Sequence, residues 1–247
     1  MRPHPLSEPR RAQAGTSIVE VMVAVAIALF ITAALVSVCV NLKFAFNAQD
    51  QLAQLQDNER LGLSILTNSL QTAGYFPDPV ANRADDPSNL AAATNATYGN
   101  LAAGQAVAGT SGTAPASDTL TTRYVSAVGD GLMNCQGQVN AGAGKLLMTN
   151  IFAITANNEL ACSVDGGATF VPLVSNVASM AVAYGTDSSG GGRADRYLSA
   201  AAVSASALWP QVKTARITLS FGNPFVGTPG QPSTIDWVQT VNLMNKS

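Results

Sequence analysis

The stretch Gly15-Thr16-Ser17-Ile18-Val19-Glu20 lies directly before an uncharged apolar run, Val21–Val40. About 20 apolar residues are enough to cross a bilayer as a helix. Glu20 is the single charge at the edge of this run, and a carboxylate there is costly in lipid unless it has a partner. We therefore expect the run to form an anchoring helix and Glu20 to have a functional role.

Residues 1–15 form a short basic segment before this run. They carry three arginines against the single acid Glu8, and their prolines oppose a helix. On the far side of the run, only Lys43 lies close. Because positive charge is retained on the cytoplasmic side, residues 1–15 are predicted to be a cytoplasmic flank.

Cleavage after the apolar run is not favoured. A secretory signal peptide has an apolar core of about 7–15 residues followed by a small-x-small site. Here the core is longer, and residues 41–44 do not form such a site. A lipoprotein signal ending at Cys39 also fits poorly, since Val38 is branched where a small residue is expected. Two possibilities remain: an uncleaved anchor, or cleavage before the apolar run.

The helical pattern continues beyond the anchor. Apart from an interruption at Glu59, apolar residues recur on one helical face at Leu52, Leu55, Leu63, Leu66, Leu70 and Ala73. Gly74 followed by Pro77 is typical of a helix end. The sequence predicts one helix over about Ser17–Ala73, roughly 85 Å long at 1.5 Å per residue. Its first half is apolar all round, and its second half packs one face on a domain.

The remainder of the chain has the pattern of a β-rich domain. Residues 76–117 are rich in glycine and proline and are predicted to be a connecting loop with a short helix near Asn89–Ala93. Strand-like runs then follow, at Thr119–Val125, Leu146–Thr155, Glu159–Val164, Thr169–Val174, Val177–Tyr184, Thr214–Phe221 and Ile235–Leu243. Ser199–Trp209 is predicted to be a short helix ended by Pro210. The predicted fold is α+β, with the long helix packed on an antiparallel sheet.

Composition excludes several classes of function. Charged residues are 11% of the chain and the net charge is −2, so no basic patch favours nucleic acid. His4 is the only histidine, which removes Ser-His-Asp and Cys-His catalysis from a chain that loses its leader. The glycines at 190–192 precede no Lys-Ser or Lys-Thr, so they do not form a phosphate loop.

The three cysteines are Cys39, Cys135 and Cys162. The last two are 27 residues apart, and neither has a second cysteine at zinc-ligand spacing. If their part of the chain lies outside the cytoplasm, they can pair. Because no C-x-x-C motif is present, such a pair is interpreted as structural and not as a redox centre.

A second candidate site is the loop from Asp187 to Asp195. Asp187, Ser189 and Asp195 are spaced loosely like calcium ligands. A calcium loop offers more oxygen ligands and a bidentate glutamate, so a flexible hairpin loop is the preferred interpretation. No metal or other cofactor is predicted.

Gly15 and the residues through Glu20, followed by the apolar helix, resemble a type IV prepilin leader. The resemblance implies that a prepilin peptidase cuts between Gly15 and Thr16 and that the new N-terminus at Thr16 is methylated. It also implies that Glu20, the fifth mature residue, assists assembly. The sequence departs from the family in having Thr16 where phenylalanine or another apolar residue is usual, which bears on methylation and not on the cut.

Motifs along the rest of the chain resemble the PilW family of minor pilins. They are residues 58–60 (Asn-Glu-Arg), 73–75 (Ala-Gly-Tyr), 135–137 (Cys-Gln-Gly), 160–162 (Leu-Ala-Cys), 184–187 (Tyr-Gly-Thr-Asp), 207–209 (Ala-Leu-Trp) with Val212, and 241–245 (Val-Asn-Leu-Met-Asn). Met244 departs from the family, which often has arginine there. The resemblance implies a disulfide between Cys135 and Cys162 and a non-enzymatic protein that helps to prime the pilus.

The sequence thus predicts a leader (1–15), a transmembrane or filament-core helix (16–41), an amphipathic helix half (42–75), a connecting loop (76–117) and a β-rich head (118–247). Implied partners are prepilin peptidase, other minor and major pilins, the inner membrane and a tip adhesin, with no direct nucleic-acid contact. The resemblance links the chain to adhesion and twitching motility. Alternatives are a minor pseudopilin of a type II secretion system and an uncleaved single-pass binding or sensor protein.

Overall fold

The computed structural model describes residues 15, 17–78, 89–112, 117–227 and 229–245. Most of the predicted leader, residues 1–14, lies outside the described residues, and so does Thr16. The described chain is α+β, with a long apolar N-terminal helix and two antiparallel sheets. It divides into two compact units at Gln51/Leu52.

Helix α1 spans Ile18–Thr72, within one residue of the predicted helix at each end. It ends where Gly74 takes a φ of +78°, a conformation that favours glycine because it has no Cβ. The N–H of Gly74 donates to the carbonyl oxygen of Arg123 at 2.9 Å, which joins the helix end to the domain.

The first sheet has five strands in the order β1-β2-β3-β4-β5, all antiparallel. Its strands are β1 (Val107–Thr110), β2 (Thr119–Ser126), β3 (Leu146–Ile154), β4 (Glu159–Ser163) and β5 (Val171–Ser175). Each strand follows its neighbour in the chain, so the sheet is a meander built from hairpins.

The second sheet has four antiparallel strands in the order β7-β6-β8-β9. Its strands are β6 (Val177–Thr186), β7 (Arg196–Ser199), β8 (Val212–Gly222) and β9 (Thr234–Asn242). Helix α2 (Ala200–Ala205) and a 3₁₀ turn (Trp209–Gln211) connect β7 to β8. The seven predicted strands all occur, and they divide between the two sheets.

The second half of α1 packs on these sheets with the predicted apolar face. The buried side chains of this face are Leu55, Leu66, Leu70 and Ala73. They join one core with apolar residues of both sheets, among them Phe152, Leu160, Val182, Ile217 and Leu219. Gly62 is also buried, and a Cβ there would lie 3.1 Å from Leu219 Cδ1, so glycine lets the helix approach β8 closely.

Four details of the prediction are wrong. Residues 89–93 form no helix and instead contribute a β-bridge between Ala93 and Leu101. Strands β1 and β7 were not predicted, because four residues are too few to show an alternating pattern. Leu52 is exposed and does not belong to the buried face. Pro210 lies inside the 3₁₀ turn, and α2 ends earlier, at Ala205.

Candidate functional site

The N-terminal part of α1 presents its apolar side chains on the surface. Ile18 is 79% exposed and Phe30 is 80% exposed, and the most apolar window of the helix has no buried residue. By length and composition α1 is able to cross a membrane. Cys39 lies in this segment and is a free, exposed thiol.

Glu20 lies in the first turn of α1 and is exposed. The turn is closed by a hydrogen bond from the N–H of Val21 to the carbonyl oxygen of Ser17 at 3.2 Å. A carboxylate at a helix N-terminus is favoured by the partial positive charge of the unpaired N–H groups. The described residues give Glu20 no hydrogen bond or ion pair. Gly15 is exposed, and Thr16 lies outside the described residues.

The head contains a disulfide between Cys135 and Cys162, with Cα atoms 6.3 Å apart. This is the pairing that the resemblance implies. Cys162 is fully buried in β4, whereas Cys135 belongs to the long connection between β2 and β3. We call that connection, residues 127–145, the disulfide loop. The bond fixes the middle of this loop to the sheet.

The disulfide loop is ordered by side chains that accept from its own backbone. Asp130 accepts from the N–H groups of Ala127 and Leu132, and Asn134 accepts from those of Gln136 and Gln138. Such carboxylate and amide turns replace the ladder bonds that a loop lacks. The loop exposes the apolar side chains of Val128, Met133 and Val139.

A buried polar chain connects α1 to the disulfide loop. Ser69 Oγ and Thr122 Oγ1 are 2.6 Å apart, and Asn150 Nδ2 donates to Ser69 Oγ at 3.4 Å. Asn150 Oδ1 in turn accepts from the N–H of Cys135 at 3.0 Å. Ser69, Asn150 and Cys135 also line a cleft of about 210 Å³ between the end of α1 and the loop. Each buried polar side chain on this path has a partner, because a buried polar group without one would carry the cost of its desolvation.

Arg123 is the largest fully buried side chain of the head. Its guanidinium donates only to backbone carbonyl oxygens: Nε to Gln105 at 2.6 Å, Nη2 to Ala102 at 2.7 Å and Leu90 at 3.3 Å, and Nη1 to Ala91. All four acceptors belong to residues 89–105, which we call the 89–105 segment. Burial lowers the pKa of Arg123 to about 10, because desolvation disfavours the charged form.

The loop from Asp187 to Asp195, whose spacing loosely resembles that of calcium ligands, uses its carboxylates internally. Asp187 accepts from the N–H groups of Gly191 and Gly192, and Asp195 accepts from Ser188 and Ser189. The hydrogen bond from the Ser188 hydroxyl is the largest cause of a lowered pKa of Asp195. These contacts fit a closed hairpin turn whose carboxylates stabilise the backbone.

Glu59 lies on the second half of α1 and is partly buried. Desolvation raises the pKa of Glu59, and the charge of neighbouring Arg60 lowers it by less. The side chain of the preceding residue, Asn58, donates to the carbonyl oxygen of Ser175 on β5 at 3.4 Å. Residues 58–60 thus lie where the helix meets the edge of the first sheet.

Sequence reasoning missed three residues of this arrangement. The sequence does not indicate that Asn150 and Ser69 are buried and hydrogen-bonded, because a polar residue in a strand or on a helix face is usually exposed. Arg123 interrupts an otherwise uncharged strand, Thr119–Val125, and a charge there was the one available sign of a buried guanidinium.

Comparison with known families gives a match in the head. Residues 139–225 match the family PilW, described as Type IV Pilus-assembly protein W. This region runs from the disulfide loop through β3 to β8 and includes Cys162. No curated protein matches the chain. The family match supports the resemblance seen in the sequence, and with it a role in type IV pilus assembly and contacts with other pilus components.

Proposed function

We propose that this chain, a PilW-family protein by its match over residues 139–225, is a minor pilin that primes or supports type IV pilus assembly as a filament or tip subunit. One observation carries the proposal. The chain that holds the PilW-like head begins with an exposed apolar helix whose first turn contains the single acid Glu20. The proposal assigns the chain no catalytic activity.

Maturation is the first step of the proposed function. Prepilin peptidase cleaves between Gly15 and Thr16, and the new amino group of Thr16 is methylated. Gly15 is exposed, which is compatible with access by a peptidase. Residues 16–41 then hold the mature chain in the inner membrane, with the head in the periplasm, until the subunit enters the extracellular pilus.

Glu20 acts in the second step. In lipid or in a filament core, its carboxylate needs a counter-charge. Cleavage supplies one on every subunit, the ammonium of Thr16, and Glu20 pairs with its own Thr16 or that of a neighbour. Removing one member of a buried ion pair leaves the other uncompensated and costs about 3–5 kcal/mol. That loss is large enough to prevent incorporation among other minor and major pilins, with or without a tip adhesin.

Intact-mass measurement of the membrane-extracted chain tests maturation. We expect the mass of a chain that begins at Thr16, with one methyl group where methylation occurs. Replacement of Gly15 by valine should leave the full-length mass, because the glycine is the cleavage determinant. A wild-type chain that keeps residues 1–15 would contradict the pilin class and favour an uncleaved anchored protein.

Sheared pili test the role of Glu20. We expect Glu20→Ala to be processed normally but absent from the sheared fraction. Asp57→Ala is the matched control, since it removes an exposed carboxylate from the same helix and should be recovered like the wild type. Recovery of Glu20→Ala in pili at the wild-type level would refute the assembly role. A wild-type chain found only with a secretion pseudopilus would instead favour the pseudopilin alternative.

A further inference from the structure

The two sheets have four edge strands, and three of them carry features that oppose pairing with another chain. β1 is only four residues long and is almost completely buried, and β7 is also only four residues long. β5 contains Pro172 and pairs with β4 through a register shift. Short edges, proline and bulges are the usual means by which proteins protect a sheet edge.

β9 has none of these features. It is nine residues long, contains no proline and no basic residue, and pairs with β8 in one continuous register from Thr234 to Asn242. A long, flat edge without lysine, proline or a bulge is a template for strand addition. β9 is therefore the one described edge that is open to another strand.

The backbone groups that face outward on β9 follow from its register. The N–H of Leu243 donates to Lys213 O, and the N–H of Asn223 donates to Ser233 O. Because bonded pairs alternate along an antiparallel ladder, residues 235, 237, 239 and 241 bond to β8. Asp236, Val238 and Thr240 then direct their N–H and C=O groups away from the sheet. The carbonyl oxygen of Thr240 accepts one long bond, from Gln239 Nε2 at 3.5 Å, and the described residues give the other outward groups of these three residues no partner.

The side chains of β9 hold it in place and mark its outer surface. On one face Val241 is buried, and Ile235 and Trp237 pack on the core, so the strand is fixed before any partner arrives. On the other face Asp236, Val238 and Thr240 are exposed, with Val238 at 57%. A pre-ordered edge lowers the entropy cost of binding an extended segment.

Charge identifies the kind of partner. Asp236 is the only charged residue of β9, and no described residue gives its carboxylate a hydrogen bond or an ion pair. A second copy paired antiparallel about Val238 would place Asp236 opposite Thr240 and leave both carboxylates unpaired. Two chains of net charge −2 would also repel each other. A basic strand, in contrast, would pair with Asp236 across the new ladder.

We propose that β9 binds an extended segment of another protein by strand addition, with lysine or arginine opposite Asp236 and an apolar or β-branched residue opposite Val238. The backbone groups of Asp236, Val238, Thr240 and Asn242 supply the new ladder, and the two side chains select the sequence. This inference stands on the edge geometry and is independent of the proposed function.

The test uses the full-length chain in detergent and a phage-displayed library of random 12-residue peptides. Val238→Pro removes one outward N–H and leaves the bonds to β8 intact, because residue 238 does not donate to β8. Val238→Thr is the matched control, since it keeps the N–H and the branched side chain. Asp236→Asn removes only the charge. Hydrogen exchange at residue resolution follows the outward amides of the wild-type chain.

We expect enriched peptides with a basic residue two positions from an apolar or β-branched one. Their affinity should fall at least tenfold with Val238→Pro, remain within twofold with Val238→Thr, and fall with Asp236→Asn. Bound peptide should slow amide exchange at Asp236, Val238 and Thr240 in the wild type, a result that needs no variant to fold. The absence of enriched peptides, binding unaffected by Val238→Pro, or a wild-type dimer dissociated by Val238→Pro would overturn the proposal.

Discussion

The backbone N–H of Cys135 donates to the side-chain oxygen of Asn150 at 3.0 Å. The first cysteine of the disulfide is therefore held to β3 by this hydrogen bond and to β4 by its covalent bond to Cys162. The amide nitrogen of Asn150 extends the path to Ser69 on α1. Gln136 Nε2 adds a bond to the carbonyl oxygen of Cys162 at 3.2 Å. The disulfide loop is thus connected to the helix and to two strands.

Removal of the disulfide should destabilise the head without changing its fold. For a 27-residue separation, the bond is expected to stabilise the folded state by about 3.5 kcal/mol, because it lowers the entropy of the unfolded chain. We expect the double variant Cys135→Ala with Cys162→Ala to lose this amount in chemical unfolding. Tryptophan fluorescence is a suitable probe, because both tryptophans, Trp209 and Trp237, belong to the head.

Cys39→Ala provides the control for that measurement. Cys39 is free and lies in the apolar segment, so its replacement should leave the unfolding free energy of the head unchanged. Equal stability of the double variant and the wild type under oxidising conditions would show that the bond does not contribute as expected.

Arg123 should be essential for the order of the 89–105 segment. Arg123→Met removes the donors of four backbone carbonyl oxygens. Two of them belong to the buried residues Leu90 and Gln105, and each of these two acceptors left unpaired costs about 1–3 kcal/mol before relaxation. Arg123→Lys should also destabilise, since a lysine ammonium cannot reproduce the planar fork. We expect both variants to have a lower unfolding midpoint than the wild type. Their amide exchange should increase more in the 89–105 segment than in β6 or β8.

The matched control is Arg216→Met, which removes a surface guanidinium 4.6 Å from the ring centroid of Tyr197. It should change the midpoint far less. If exchange in the 89–105 segment were unaltered in Arg123→Met, the guanidinium would not be what holds that segment to β2.

Alkaline titration should reveal the buried phenol of Tyr124. Burial, with a smaller contribution from the charge of Asp130, raises the pKa of Tyr124 to about 12, and its hydroxyl donates to Met148 Sδ at 3.1 Å. Between pH 10 and 12 the unfolded chain has lost this proton and the folded chain keeps it. The unfolded state then binds fewer protons, so stability falls as pH rises through that window.

We expect Tyr124→Phe to reduce this loss, which can be measured as the difference in unfolding free energy between variant and wild type from pH 8 to 11.5. The comparison separates the contribution of Tyr124 from that of Arg123, because the lowered pKa of Arg123 makes the stability rise with pH over the same range. Tyr197→Phe at the surface is the control. A pH dependence identical in all three chains would contradict a protonated, buried Tyr124.

Local signals predicted the regular elements well because each depends on near neighbours in the chain. The unbroken apolar run and the stripe of leucines defined α1 to within one residue at each end. The alternating residues of β8 and β9 defined both strands. Residues 89–93 were assigned wrongly, since their alanine-rich sequence favours a helix locally, whereas Arg123, a residue distant in sequence, binds the carbonyl oxygens of Leu90 and Ala91.

The sequence by itself determined the class of the chain: an apolar helix with one acid at its start, a β-rich head, and a resemblance to PilW that the family match supports. The helix and the β-rich head follow from composition and spacing, and the resemblance rests on short motifs; all are properties of the linear chain. Only the tertiary structure decided that the strands divide into two sheets, that Arg123 binds the 89–105 segment, and that β9 is left as an open edge. Which strand lies beside which, and which buried polar group finds a partner, depend on contacts between distant residues, and no local pattern encodes them.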